Sequence, residues 1–223
     1  MIVPEEDITL TLTPDNVSNT ALVSETGRRL YTVSTEHGKA TTTSVRNTRD
    51  EVIASLEWRN VFPDKVTIGS KEPILMTEWM KRSIIPFKDD LTFTDGEGRK
   101  YKWKGNSAGR SFELCCADDN YLSIIARFQR SRRVTSPSSL TAEPNASTPS
   151  LAPTPVNPTW TPAVLVLTPR AQQIQDTVVV SFLFLEKTRR INETEHQTRA
   201  DVLGTAVLKP VGKSAMVVVN GGV

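Results

Sequence analysis

Apolar and polar residues alternate in short, closely spaced runs over most of this chain. Ile8–Leu12, Thr20–Ser24, Arg29–Ser34, Thr41–Arg46, Val52–Trp58 and Lys65–Ile68 read as strands, because period-two alternation gives each face of a sheet its own set of side chains. Asp90–Thr94, Arg99–Lys104, Ser111–Cys116, Leu122–Gln129 and Ala163–Leu167 continue the series. Turn chemistry separates several of them, at Thr26-Gly27, His37-Gly38, Asp95-Gly96-Glu97-Gly98 and Asp118-Asp119-Asn120. Many short strands with tight turns predict a sandwich or a barrel. One interruption, Thr77–Ser83, predicts a short helix capped by Thr77, with Trp79 and Met80 packed on the sheet.

The run Val178–Leu185 (VVVSFLFL) breaks the pattern. Its valines fit a fully buried strand, since β-branched residues are slightly poor helix formers. Its flanks fit a helix. Thr168-Pro169 reads as an N-cap followed by proline at the first helical position, and Lys187, Arg189 and Arg190 suit a C-terminus. Those signals favour a helix over Pro169–Arg190, about 22 residues and roughly 33 Å long. Its second half, apolar on every side, must then be buried all round, and a β-barrel is the natural container. The apolar run is too short for a bilayer, which needs about 20 such residues, so no transmembrane segment is expected.

At 223 residues the chain suits one domain with unstructured additions, here residues 7–190. Residues 131–160 are rich in Ser, Thr and Pro and poor in large apolar groups. They read as a disordered loop inserted within the domain. Residues 191–223 begin polar and end in Val217-Val218-Val219, a tail read as flexible or as an added edge strand. Cys115 and Cys116 should point to opposite faces of a strand, one inward and one outward, where palmitoylation could reach the outer thiol. The N-terminus lacks a basic start and an apolar core, so a cytoplasmic, peripheral-membrane or nuclear location is expected, not secretion.

Several stretches together carry a resemblance. They are Arg29–Thr35 (RLYTVST), Val52–Arg59 (VIASLEWR), Gly98–Gly105 (GRKYKWKG), Ile125–Phe128 (IARF) and Gln175–Arg190. The set resembles a family of unknown function common in mushroom-forming fungi. That family is similar in turn to the Tubby C-terminal superfamily, with the phospholipid scramblases and the plant LURP-one-related proteins. The resemblance implies a closed antiparallel barrel of about 11–12 strands around a hydrophobic C-terminal helix, and Tubby relatives bind phosphoinositides. No lipid-contacting motif of those relatives aligns with this chain.

The sharpest candidate chemistry comes from the residues themselves. On a strand, Lys100, Lys102 and Lys104 form a row of ammonium groups on one face, with Tyr101 and Trp103 on the other. From Gly98 to Arg133 there are nine basic residues against three acidic ones, although the whole chain nets only +2. Arg110, Arg127 and Arg130 belong to this segment, and the six residues together are the candidate anion- or lipid-binding set. A solvated strand face is the competing reading. Nucleic acid is a less favoured partner, and protein partners recruited by the Ser/Pro-rich loop are the alternative function. Catalysis is not expected. His37 and His196 have no triad partners nearby in sequence. Asp118-Asp119-Asn120 offers too few oxygens for calcium, so neither a metal nor a cofactor is expected. Trp58, Trp79 and Trp103 read as core anchors.

Overall fold

All eleven expected strands form, with ends displaced by up to three residues. The computed structural model describes residues 6–59, 61–85, 88–107, 109–134 and 159–207, with side chains described through residue 200. The first half is a meander of β1 (Ile8–Thr13), β2 (Thr20–Ser24), β3 (Arg29–His37), β4 (Thr41–Arg46), β5 (Val52–Trp58), β6 (Lys65–Ile68) and β7 (Ile74–Leu75). A single helical turn, α1 (Met76–Trp79), leads to β8 (Lys81–Arg82). The second meander runs through β9 (Leu91–Thr94), β10 (Lys100–Lys104), β11 (Phe112–Cys116) and β12 (Ile124–Gln129). A separate two-stranded ribbon, β13 (Arg132–Val134) with β14 (Thr159–Thr161), precedes β15 (Val164–Leu167).

β15 joins the two meanders by pairing antiparallel with both β1 and β12. The result is one sheet of thirteen strands whose edges are β7 and β8. The expected closed barrel is therefore not formed. The two edge strands are neighbours in sequence, but α1 stands between them and no ladder joins them. Each is only two residues long, too short to extend pairing around the turn.

The inner face is built by alternation. Leu10, Leu22, Tyr31, Val45, Leu56, Val66, Phe93, Tyr101, Trp103, Phe112, Phe128 and Leu165 are all buried in one core. The helix resolves the ambiguity over Val178–Leu185. A first turn, α2 (Pro169–Gln172), precedes α3 (Gln175–Val207). Every residue from Val178 to Leu185 is buried. Strands from opposite arms of the sheet touch the helix: Trp103 of β10 donates to Ser181 Oγ at 3.0 Å, and Tyr31 of β3 donates to Asp176 Oδ1 at 2.6 Å. Phe128 of β12 packs on Phe182 with ring centroids 4.3 Å apart. The sheet curls around the helix.

Several expectations change. Thr168 occupies the N-cap position, but its hydroxyl donates to the Ile125 carbonyl and caps nothing. The helix does not stop at Arg190 and runs to Val207, so the tail begins as helix; its remainder, 208–223, lies outside the described residues. Side-chain hydrogen bonds from Thr194 Oγ1 to the Arg190 carbonyl and from Thr198 Oγ1 to the Thr194 carbonyl accompany that extension. The expected helix Thr77–Ser83 is shortened to Met76–Trp79, with Leu75 at its N-cap. The ends of the Ser/Pro-rich insertion pair as β13 and β14, and residues 135–158 lie outside the described residues. Of the three tryptophans expected as core anchors, Trp103 alone is fully buried; Trp58 and Trp79 sit half-buried at the margins.

Candidate anion-binding face

The lysine row forms as the alternation requires. Lys100 is exposed and Lys102 and Lys104 half-buried on the outer face of β10, while Tyr101 and Trp103 are fully buried behind them. The turn after β11 folds back over this face. The Lys104 ammonium donates to the Tyr121 carbonyl at 2.8 Å, and the Lys102 ammonium lies 4.1 Å from the Tyr121 ring centroid, a cation–π contact. Asp90 Oδ2 is 3.9 Å from Lys102. Lys104 thus holds the turn, whereas Lys100 projects free of such contacts among the described residues.

The register brings in a lysine that sequence reasoning missed. Lys81 of β8 pairs with Thr92 of β9, and Thr92 pairs with Lys102 of β10, so the two lysines lie on one line across the sheet. Lys81, Lys100, Glu78, Trp79 and Tyr121 line a groove of about 400 Å³. Lys81 was hidden in the stretch expected to be helical. Leu122, next to Tyr121, is 80% exposed, and Ile74 also borders the groove.

The three arginines fall differently. Arg127 is on the same outer face, but Glu113 stands between it and Lys104 in the register and pairs with it at 3.3 Å. Arg110 is exposed in the loop after β10, and its carbonyl accepts from Arg189. Arg130 belongs to another constellation, at the end of the sheet from which α3 emerges. There Glu186, fully buried, is held by three guanidinium groups. Arg130 Nε and Arg190 Nε reach Oε1 at 2.6 and 2.7 Å, and Arg189 reaches Oε2 at 2.6 Å. Glu193 pairs with Arg130 and Asp15 with Arg190, so three acids balance three bases. Burial works against the charge on Arg130, but the carboxylates of Glu186 and Glu193 win and hold its pKa above the ordinary range. At Arg189 burial prevails over Glu186 and its pKa is lowered. Asp15 is lowered despite its burial, through Ser131 and Arg190. This cluster fastens the helix, so Arg130 leaves the candidate set.

Arg189 Nη1 also donates to the Gly105 carbonyl at 3.0 Å. Gly105 has φ +79°, and a Cβ there would run into the Ser111 carbonyl oxygen. Gly105→Ala is therefore expected to lower stability by about 1–3 kcal/mol. Chemical denaturation checks this, and an unchanged midpoint would show that the loop yields.

Both cysteines are buried, which corrects the expectation of an exposed one. Cys116 faces the core opposite Tyr101. Cys115 lies opposite Lys102, on the outer side, and has no solvent exposure. Burial pushes its thiol pKa up, so it is neither a site for palmitoylation nor a reactive thiolate.

Among the described residues no group of His, Cys, Asp or Glu could hold a metal ion, and no helix is long and apolar enough to cross a membrane. No curated protein matches the chain. Among solved structures, a protein from Arabidopsis thaliana is similar, with 12% identity and a TM-score of 0.45 over 79% of this chain and 90% of that one. The sequence matches a family of unknown function over residues 15–191, which spans β2 to the cation cluster on α3 and most of the sheet. The chain belongs to that family, DUF6593.

Proposed function

We propose that this protein is a non-enzymatic docking module that binds anionic phospholipid, of the phosphoinositide type, at the cytoplasmic surface of a membrane. The observation that carries the reading is the groove along β8–β10 lined by Lys81 and Lys100, with Lys102 on the register line of Lys81 and the exposed Leu122 following the lining residue Tyr121. Basic residues near an anionic surface contribute about 1 kcal/mol each, and an adjacent aliphatic side chain adds apolar contact with the interface. The resemblance to the Tubby superfamily points the same way, since relatives there bind phosphoinositides. A thirteen-stranded sheet around a buried helix supports that likeness, while the unpaired edges β7 and β8 depart from a closed barrel.

The test is co-sedimentation with liposomes with and without phosphoinositide at low and physiological salt. Lys81→Glu/Lys100→Glu/Lys102→Glu is expected to weaken binding by about 100-fold or more, in keeping with about 1 kcal/mol lost per lysine and the added repulsion of three carboxylates. Binding by the native chain should also fall as salt rises. Lys104 is left intact because its ammonium holds the Tyr121 turn. Native protein that ignores anionic liposomes at low salt, or a triple variant that binds as well, would overturn the proposal.

A further inference from the structure

Where α3 leaves the sheet it carries a lysine into an enclosure of two threonine hydroxyls and an indole ring. Lys187 is 8% exposed. Its Nζ donates to Thr43 Oγ1 at 2.6 Å and to Thr35 Oγ1 at 3.2 Å. Thr43 Oγ1 also accepts from Trp58 Nε1 at 2.8 Å. Its own hydrogen therefore goes to Thr35 Oγ1, 2.9 Å away, and the Thr35 hydroxyl donates in turn to the Ser18 carbonyl. This chain of bonds leaves both threonine oxygens as acceptors toward the lysine. The Trp58 ring forms one wall, its centroid 4.4 Å from Nζ.

The other buried cation, Arg189, has Glu186 at 2.6 Å, whereas Lys187 has no carboxylate at ion-pair distance among the described residues. Burial lowers its pKa to about 8, with the charge of Asp64 pulling the other way. At pH 7.4 about a fifth of such amines are neutral, against about one in a thousand for an ordinary lysine. A neutral amine has two N–H bonds, enough for Thr43 and Thr35, and retains a lone pair. Lys187 borders a cavity of about 560 Å³ together with Trp58, Thr41 and Asn192. The charged and titratable groups facing it are Arg59, Asp64, His37 and Glu195. With the amine neutral, the fixed positive charge of Arg59 faces the carboxylates of Asp64 and Glu195, so the site does not attract an anion and suits a neutral electrophile.

We propose that this cavity is a binding site for a small aldehyde, which Lys187 captures as a reversible imine. The amine lone pair attacks the carbonyl carbon and the C=O π pair moves to oxygen, which takes a proton. The carbinolamine then loses water to give the C=N bond, and hydrolysis restores both partners without any oxidant or reductant.

The experiment treats the full folded chain with propanal and cyanoborohydride, which reduces the imine to a stable secondary amine, followed by peptide mapping. At pH 7.4 Lys187 is expected to be propylated about tenfold faster than exposed lysines such as Lys39 and Lys71, because desolvation leaves more of it as free amine. Its labelling rate should rise with pH around a midpoint near 8. In guanidinium chloride the preference should vanish, and Lys187→Met should remove that adduct alone. Labelling of native Lys187 no faster than of Lys39 and Lys71, or a rate that keeps climbing past pH 10 as for an ordinary lysine, would overturn the proposal.

Discussion

Glu186→Ala is expected to lower the stability of this protein by about 3–5 kcal/mol, the usual loss when one partner of a buried ion pair is removed. Glu186 has no solvent exposure, and its two carboxylate oxygens accept from Arg130, Arg189 and Arg190. Without it, Glu193 and Asp15 remain to balance three guanidinium groups. Arg130 and Arg190 keep one carboxylate each and are partly solvated, so they tolerate the loss. Arg189 does not. Its side chain is 3% exposed, Glu186 is its carboxylate partner, and its guanidinium lies 4.0 Å from the Phe112 ring. The penalty is thus the stranding of one buried charge more than the loss of three pairs. Two consequences separate these accounts. Glu186→Gln, which keeps an acceptor oxygen for one guanidinium, should cost clearly less than Glu186→Ala. Glu186→Ala/Arg189→Met should cost less than the two single changes added together, because the charge and its partner leave as a unit. Guanidinium denaturation reads all four stabilities. A loss below about 1 kcal/mol for Glu186→Ala would mean that water reaches Arg189 and that the cluster does not fasten the helix.

That cluster marks the limit of what the sequence makes legible. Local alternation placed all eleven long strands, because the burial of one face writes itself into every second residue, as in Tyr101 and Trp103 against Lys100, Lys102 and Lys104. The buried helix was legible for the same reason, since no surface helix is apolar on every side. Short elements leave no period to read. Lys81–Arg82 pairs with β9 although two residues cannot show alternation, and the loss of that strand from the reading removed Lys81 from the candidate face. Cys115 and Cys116 do face opposite ways, yet the outer one is buried as well, opposite Lys102, and nothing in the five residues of β11 announces that its outer side is covered. Charge at long range is the least legible. Lys187, Arg189 and Arg190 read as the end of a helix because cations suit a C-terminus, but they sit in its middle: Glu186 one turn back answers the two arginines, Asp15 just past the first strand joins it at Arg190, and threonine hydroxyls meet Lys187. Arg130 looked like part of a basic face for want of any sign that its partner lies 56 residues on.

Trp103→Ala is expected to cost about 3–5 kcal/mol, through the cavity left by a fully buried indole. The larger interest lies in the lighter changes at the same contact. A helix that is apolar all round has little in its own surface to fix its rotation or height inside the curled sheet. Polar contacts at three levels supply that: Tyr31 to Asp176, Trp103 to Ser181, and Lys187 to Thr43. The middle one is sealed from water. Ser181 Oγ accepts from Trp103 Nε1 and donates to the Val178 carbonyl, so both partners are satisfied. Trp103→Phe removes the donor together with part of the ring and leaves no polar group unmet, so its loss should stay well below that of the alanine variant. Ser181→Ala deletes only one oxygen but leaves the indole N–H buried without an acceptor, a penalty of about 1–3 kcal/mol. If packing alone held the helix in place, Ser181→Ala would be nearly silent, since alanine is the better helix former. Denaturation midpoints together with the near-ultraviolet circular dichroism of Trp103 distinguish the two. A Ser181→Ala variant with native stability and an unaltered indole signal would assign the helix position to shape complementarity, whereas the expected loss assigns it to one hydrogen bond between a strand and the helix it surrounds.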